Sequence, residues 1–143
     1  MTWFSEAIGR QVISRDDAEA QGDLSSFVVE AKTGKVVALV IGSGRKASAY
    51  DWGQVTGFGP DAILVEGPAA SKEQTSDAAS GRNDPLGKRL LTVLGEEIGT
   101  VTDIEFDPDT AGLRSLRSSA GSVVDSERLR GVGSYAVVVD VGD

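Results

Sequence analysis

Cysteine and histidine are both absent from this chain of 143 residues, and each absence closes off a set of functions. Without cysteine there is no disulfide, no thiolate zinc site and no thiol nucleophile, a composition that fits a reducing cytoplasm. Without histidine the commonest general base near neutral pH is missing, together with the commonest transition-metal ligand. Hydrolytic triads, zinc hydrolysis and haem ligation by histidine therefore lose their usual parts, and the composition argues against an enzyme. Long apolar runs are missing too. The longest, Val36 to Ile41, has six residues, whereas a membrane span needs ~20. The start, Met1-Thr2-Trp3-Phe4-Ser5-Glu6, has no basic region leading into an apolar core, as an export signal requires. A soluble, cytoplasmic protein without membrane insertion is expected.

Positive charge is scarce. Fourteen basic residues face 22 acidic ones, a net charge of -8, and neither half of the chain is basic. Nucleic-acid backbones are bound through clustered Lys and Arg that displace counterions, so direct DNA or RNA binding is disfavoured. The remaining composition, 40% apolar and 25% charged, is that of an ordinary globular protein.

What the chain does contain is a duplication. Ile8-Gly9-Arg10 answers Leu86-Gly87-Lys88, Gly22 answers Gly99, Thr33 answers Thr110, and Gly57-Phe58-Gly59 answers Gly131-Val132-Gly133. The offset drifts from 78 to 77 to 74, which puts the length differences in loops rather than elements. Residues 1–68 and 85–143 are read as two repeats, with the polar stretch 69–84 as a linker. Modules of this size bury too little surface to be stable alone, so the halves should share core or dimerise. In the linker, Ser71 offers a cap for a short helix over Ser71 to Ala79, with Glu73 in its first turn, but no apolar residue is evident to anchor it.

Within each repeat the periodicity is that of short strands. Phe27-Val28-Val29, Val36 to Ile41, Ile63-Leu64-Val65, Ile104 to Phe106 and Ala136 to Val139 are β-branched or aromatic clusters bounded by turn formers. Lys32-Thr33-Gly34-Lys35 and Asp107-Pro108-Asp109-Thr110-Ala111-Gly112 read as equivalent hairpin turns. Two earlier reversals, closing on Gly22 and Gly99, also correspond. Each copy thus reads as strand, turn, long strand, turn, strand, loop, strand, the pattern of an all-β antiparallel barrel or sandwich.

These glycine and apolar positions resemble the PRC-barrel family, named for the H subunit of the photosynthetic reaction centre. The second copy is the closer match, from Leu86-Gly87-Lys88 through Gly99-Thr100-Val101-Thr102-Asp103-Ile104 and Asp107-Pro108-Asp109-Thr110 to Gly131-Val132-Gly133-Ser134-Tyr135-Ala136-Val137-Val138-Val139. The resemblance implies two tandem small β-barrels, packed as a pseudo-symmetric pair, that contact other macromolecules and carry no shared catalytic residues or cofactor. Known members influence electron and proton transfer in the reaction centre or bind a small-subunit ribosomal protein during ribosome maturation. Neither a transmembrane helix like that of the former nor a separate N-terminal domain like that of the latter is expected here.

No constellation of side chains identifies a reaction. Asp103, Glu105, Asp107 and Asp109 alternate along one strand and would share a face, as a hard-cation site requires, but the calcium-loop spacing is absent and a solvated strand face is the simpler reading. Gly81 with Gly87-Lys88-Arg89 has the wrong spacing for a phosphate-binding loop and lacks the hydroxyl residue after the lysine. Gly42-Ser43-Gly44-Arg45-Lys46 could cradle an anion, though a flexible loop with two solvated cations explains it as well. The adjacent pairs Asp16-Asp17 and Glu96-Glu97 sit in matching turns and do not face one another. The better lead is aromatic. Trp3, Phe4, Tyr50 and Trp52 lie outside the regular strand pattern, either plugging the barrel ends or forming a partner surface. A noncatalytic adaptor for an unidentified protein is expected, with the loops Gly42 to Gln54 and Ser118 to Glu127 choosing the partner. A ribosome-maturation accessory acting through a basic ribosomal protein is the alternative.

Overall fold

Turn formers interrupt the β-branched clusters often enough that no strand exceeds 11 residues in the computed structural model, which describes residues 1–141. Residues 142–143, the end of the second repeat, lie outside the described residues. A two-residue strand, β1 (Thr2–Trp3), and one helical turn, α1 (Phe4–Ala7), lead into the first repeat. That repeat comprises β2 (Gln11–Ser14), β3 (Ala20–Glu30), β4 (Lys35–Ile41), β5 (Ser48–Asp51), β6 (Val55–Phe58) and β7 (Ile63–Val65). After helix α2 (Lys72–Ala79) the second repeat comprises β8 (Arg89–Thr92), β9 (Glu97–Phe106), β10 (Leu113–Ser118), β11 (Val123–Asp125), β12 (Leu129–Val132) and β13 (Ala136–Val139).

The two repeats form two sheets whose strand orders correspond one to one. The first runs β5-β4-β3-β2-β7-β6 and the second β11-β10-β9-β8-β13-β12, with β1 added beside β9. Each has one parallel pairing, β2 with β7 and β8 with β13. That corrects the all-antiparallel expectation. In both copies the last two strands return as a hairpin whose second arm enters alongside the first strand in the same direction. Among the described residues the end strands of each sheet do not pair with each other, so both sheets are open in their hydrogen bonding.

The long strand of each copy belongs to two pairings in succession. The start of β3 pairs with β2 and its remainder with β4, while β9 divides itself between β8 and β10. Gly22 and Gly99 lie within these strands, not at the ends of the preceding turns as expected, because the turns close earlier. Their φ values of 130° and 113° are open to glycine but unfavourable for other residues. A Cβ on Gly22 would stand 3.0 Å from Ile41 Cγ2, and one on Gly99 2.7 Å from Ser119 Oγ.

The halves share one core. Phe4, Phe27 and Phe106 are each fully buried and meet in a triad spanning both repeats. Phe4 stacks on Phe27 with centroids 4.1 Å apart, and Phe106 packs edge-on against both at 5.3 and 5.2 Å. Around them, Leu24, Leu39, Ile41 and Ile63 of the first copy form one continuous cluster with Leu90, Ile104, Leu116 and Val137 of the second. Backbone bonds also cross the seam. The Val36 N–H donates to the Ala111 carbonyl at 2.9 Å and the Leu113 N–H to the Gly34 carbonyl at 2.8 Å, so the β3–β4 and β9–β10 hairpins hold each other. Sharing core in this way relieves the shortage of buried surface that each module would suffer alone.

The stretch between the repeats is more ordered in its contacts than its composition suggests. Ser71 Oγ accepts from the Gln74 N–H at 3.2 Å and caps α2. The anchor that the apolar pattern did not reveal is Thr75, which is buried as α2 packs on β4 and β5. The Val29 N–H donates to the Asn83 carbonyl at 3.0 Å, tying the connection to the first sheet.

Candidate interaction surface

Aromatic rings at the seam define the most distinctive surface of the molecule, and burial divides the four candidate residues. Phe4 belongs to the core triad, and Tyr50, on β5, is also buried. Neither presents its side chain to a partner, which corrects the surface expectation for both. The segment that looked like loop carries a strand, and an antiparallel partner turns its alternate residues inward. Burial, with a smaller contribution from the charge of Asp17, raises the Tyr50 phenol above its ordinary value, and its hydroxyl is 3.3 Å from Gln21 Oε1. Trp3 and Trp52 remain partly exposed. The Trp3 ring carries the Arg117 guanidinium over its face at 4.4 Å.

Trp52 begins a 3₁₀ turn, Trp52–Gln54, that joins β5 to β6. Its ring lies 5.7 Å from Phe58 and 5.9 Å, nearly perpendicular, from Phe106. Together with Thr56 and Phe58 of the first repeat, and Pro108 and Asp109 on the β9–β10 turn of the second, it lines a cleft of about 290 Å³. The cleft exists because each repeat pushes its long hairpin against the other. Phe58 was not singled out in the sequence, where it looked like part of a glycine motif, and Asp109 was considered only as a member of a possible cation-binding strand face and as turn chemistry.

A second cleft at the seam is built from the corresponding elements. There the 3₁₀ turn Ser126–Arg128 and β12 face the β3–β4 turn of the first repeat across a cleft of about 450 Å³. Aligning the two repeats in sequence on Gly57/Gly131 and Thr33/Thr110 sets Ser126 against Trp52, Arg130 against Thr56, Val132 against Phe58, and Lys32 against Asp109. One cleft is aromatic with Asp109 on its rim, and the other is polar with Lys32, Lys35, Arg130 and Glu127 around it. Arg130 lies 3.7 Å from Asp140 in an exposed ion pair.

A third concavity, about 730 Å³ and shallow, separates the 3₁₀ turn Gly44–Lys46 from α2 and is lined by Arg45, Lys72, Ser76 and Ser80. Neither Arg45 nor Lys72 is in an ion pair among the described residues.

The other candidate groups have structural occupations. Asp103 is buried on β9, where its carboxylate accepts from the Ser5 N–H at 3.0 Å and from the Ser5 hydroxyl. Asp107 accepts from the Asp109 N–H at 2.9 Å and shapes the turn. Among the described residues no three Asp or Glu side chains converge as ligands would. Lys88 donates to the carbonyls of Gly81 and Arg82, closing the turn after α2 in place of cradling a phosphate. Burial raises the nearby Asp84 carboxyl above its ordinary range, against the opposing pull of the Leu86 N–H and the Lys88 ammonium. Burial also lowers Lys88, which Asp84 partly offsets. Asp16 and Asp17 accept from the Gly67 and Glu19 N–H groups, and Glu97 pairs with Arg89 at 2.7 Å, so neither adjacent acidic pair acts as a unit. No described helix is long and apolar enough to cross a membrane.

Two stretches, residues 4–72 and 79–143, each match the family model for the PRC-barrel domain. No curated protein matches the chain.

Proposed function

The chain belongs to the PRC-barrel domain family, matched twice along its length, and from that premise we propose that it is a noncatalytic module that binds another protein through the seam between its repeats. The two sheets act as a fused pair of small barrels related by the duplication, each closed by side chains where its hydrogen bonding is open. One observation carries the reading. Asp103, Asp107 and Lys88, which had catalytic or ligating potential, are engaged in turns and buried hydrogen bonds, whereas an aromatic surface at the seam stays reachable by solvent. Partly exposed tryptophan beside a polar rim is the composition of an interface anchor.

The lack of histidine and cysteine supports a role without catalysis and a place in a reducing compartment. The net charge of -8 favours a basic protein over nucleic acid as partner. Affinity purification of the tagged chain from its native host, followed by mass spectrometry, tests this. A protein recovered in stoichiometric amount, and lost when Trp52 is replaced, is the expected outcome. Recovery of ribosomal proteins would favour the ribosome-maturation role. A small molecule retained in stoichiometric amount without any protein would overturn the reading in favour of an enzyme.

A further inference from the structure

We propose that the cleft between Trp52 and Asp109 seats one arginine or lysine side chain of a basic partner protein. The inference rests on the interaction-module reading and specifies the chemistry of its occupant. Aromatic faces carry negative quadrupole charge and attract cations within about 6 Å, tryptophan most strongly. The molecule already uses this contact twice, with Arg117 at 4.4 Å over Trp3 and Arg10 at 5.4 Å over Phe58. The guanidinium of Arg10 is held at the Phe58 end by the Glu6 carbonyl at 3.4 Å. Among the described residues no cation lies over Trp52, and Asp109 forms no ion pair. An exposed carboxylate on one wall and an accessible indole on the other are the two groups that hold a guanidinium or ammonium from different sides.

Size and charge restrict the occupant further. A cleft of about 290 Å³ lies at the bottom of the roughly 300–1,000 Å³ range of small-molecule sites and suits a single side chain. Over the whole chain, 22 acidic residues against 14 basic ones raise the local concentration of a basic partner. The equivalent cleft acts as an internal contrast. With Ser126 for the indole, Lys32 for Asp109 and Arg130 for Thr56, it lacks the ring and sets three cations against one carboxylate, Glu127, so it should hold the same side chain less well.

The experiment titrates the full chain with the peptide acetyl-Gly-Gly-Arg-Gly-Gly-amide, and in parallel with the same peptide carrying citrulline, the neutral isostere. The readout is the indole N–H signals of the two tryptophans by nuclear magnetic resonance. The arginine peptide is expected to shift Trp52 saturably at millimolar concentration, with citrulline weaker by about threefold or more. Asp109→Lys installs the residue found in the equivalent turn, on an exposed position, and should weaken arginine binding about threefold or more without changing the melting temperature. Equal affinity for the two peptides, indifference to Asp109→Lys, or movement of Trp3 with Trp52 silent would overturn the proposal. None of these would touch the module reading, which stands or falls on recovery of a protein partner.

Discussion

The two seam clefts are made of the same elements and finish with opposite chemistry. In each, a 3₁₀ turn and the strand after it face the hairpin of the other repeat, yet Trp52, Phe58 and Asp109 line one while Ser126, Arg130 and Lys32 line the other. Where backbone geometry demands a residue, the copies agree. Gly22 and Gly99 share a left-handed φ within the long strand, and the hairpin turns match in backbone even where residues differ, with φ 66° at Gly34 and 67° at Ala111. The comparison sorts positions by cause: those set by the fold stay alike in both copies, and those facing the clefts have diverged. It also depends on the repeats folding as one body, because each cleft takes a wall from both.

Phe106→Ala tests that dependence and should have the largest effect. Removing a fully buried ring from the triad with Phe4 and Phe27 is expected to cost about 3–5 kcal/mol. Trp3 pairs into the second sheet beside β9, so the test is made in a Trp3→Phe background, where the remaining indole, Trp52, belongs to the first repeat and Phe106 to the second. Denaturant unfolding followed by tryptophan fluorescence and by far-ultraviolet circular dichroism should therefore shift to one common, lower midpoint. A fluorescence midpoint that stays at the value of the Trp3→Phe parent would mean that the halves unfold separately and that the shared core does not couple them.

The equivalent glycines sharpen the comparison on a smaller scale. Gly22→Ala and Gly99→Ala should each cost about 1–3 kcal/mol, from the unfavourable φ and a Cβ too close to its neighbour. Relief should differ between them. At Gly99 the obstacle is the Ser119 hydroxyl, which also accepts the Thr100 N–H at 3.0 Å. Adding Ser119→Ala to Gly99→Ala should then cost less than the sum of the single changes. At Gly22 the obstacle is a methyl of the fully buried Ile41, and Ile41→Val, which keeps both γ carbons, should give no such relief.

These glycines also mark what the sequence made legible. The repeat was visible because glycines at left-handed positions and apolar strand residues are dictated locally, and the strands around Phe27, Val36 to Ile41, Ile63, Ile104 and Ala136 to Val139 all form. Strands β5 and β6 were less visible, since Ser48-Ala49-Tyr50-Asp51 and Val55-Thr56-Gly57-Phe58 lack the unbroken apolar cluster that marks the similarly short β7 and β13. The parallel pairings and the burial of Phe4 arise from contacts distant in sequence. Phe4 is drawn inward because β1 joins the sheet of the other repeat, pairing Trp3 with Glu105. Of the cleft, Trp52 could be singled out as an aromatic outside the pattern, but Phe58 and Asp109 acquire their place only when the two hairpins cross.

Two carboxylates stand two residues before the matched Ile8 and Leu86, and pH should act on them differently. Glu6 is exposed and accepts from the Trp3 N–H at 2.9 Å, whereas Asp84 is half-buried and accepts from the Leu86 N–H at 3.1 Å. Burial raises Asp84 above its ordinary value of 3.8, so the folded chain holds that proton more tightly than the unfolded one. Stability from this group is then greatest below pH 3.8 and falls as pH rises through the interval up to the folded value. Asp84→Asn keeps an acceptor for Leu86 and removes the burdened charge. Its melting temperature at pH 7 should equal or slightly exceed that of the parent, with a shallower decline above pH 4. A variant that is less stable at pH 7 and keeps the parent slope would contradict the assignment.

The smallest effect belongs to the β8–β9 turn, where the copies differ in polarity. Leu94, 69% exposed, and Val93, 47% exposed, stand where the first repeat has Asp16 and Arg15. In the first repeat those residues are tied down, Asp16 by the Gly67 N–H at 3.3 Å and Arg15 by Glu66 at 3.5 Å, both at the surface. The Leu94 side chain has little buried area to lose, so Leu94→Asp, which copies the first repeat, should change stability by no more than about 0.5 kcal/mol. Unfolding of this variant at several protein concentrations checks the point. A loss well above that size, equal at all concentrations, would mean that Leu94 supports the fold of its own repeat and that the divergence here is structural. A negligible loss would place Leu94 with the cleft residues, among positions the fold leaves free to differ.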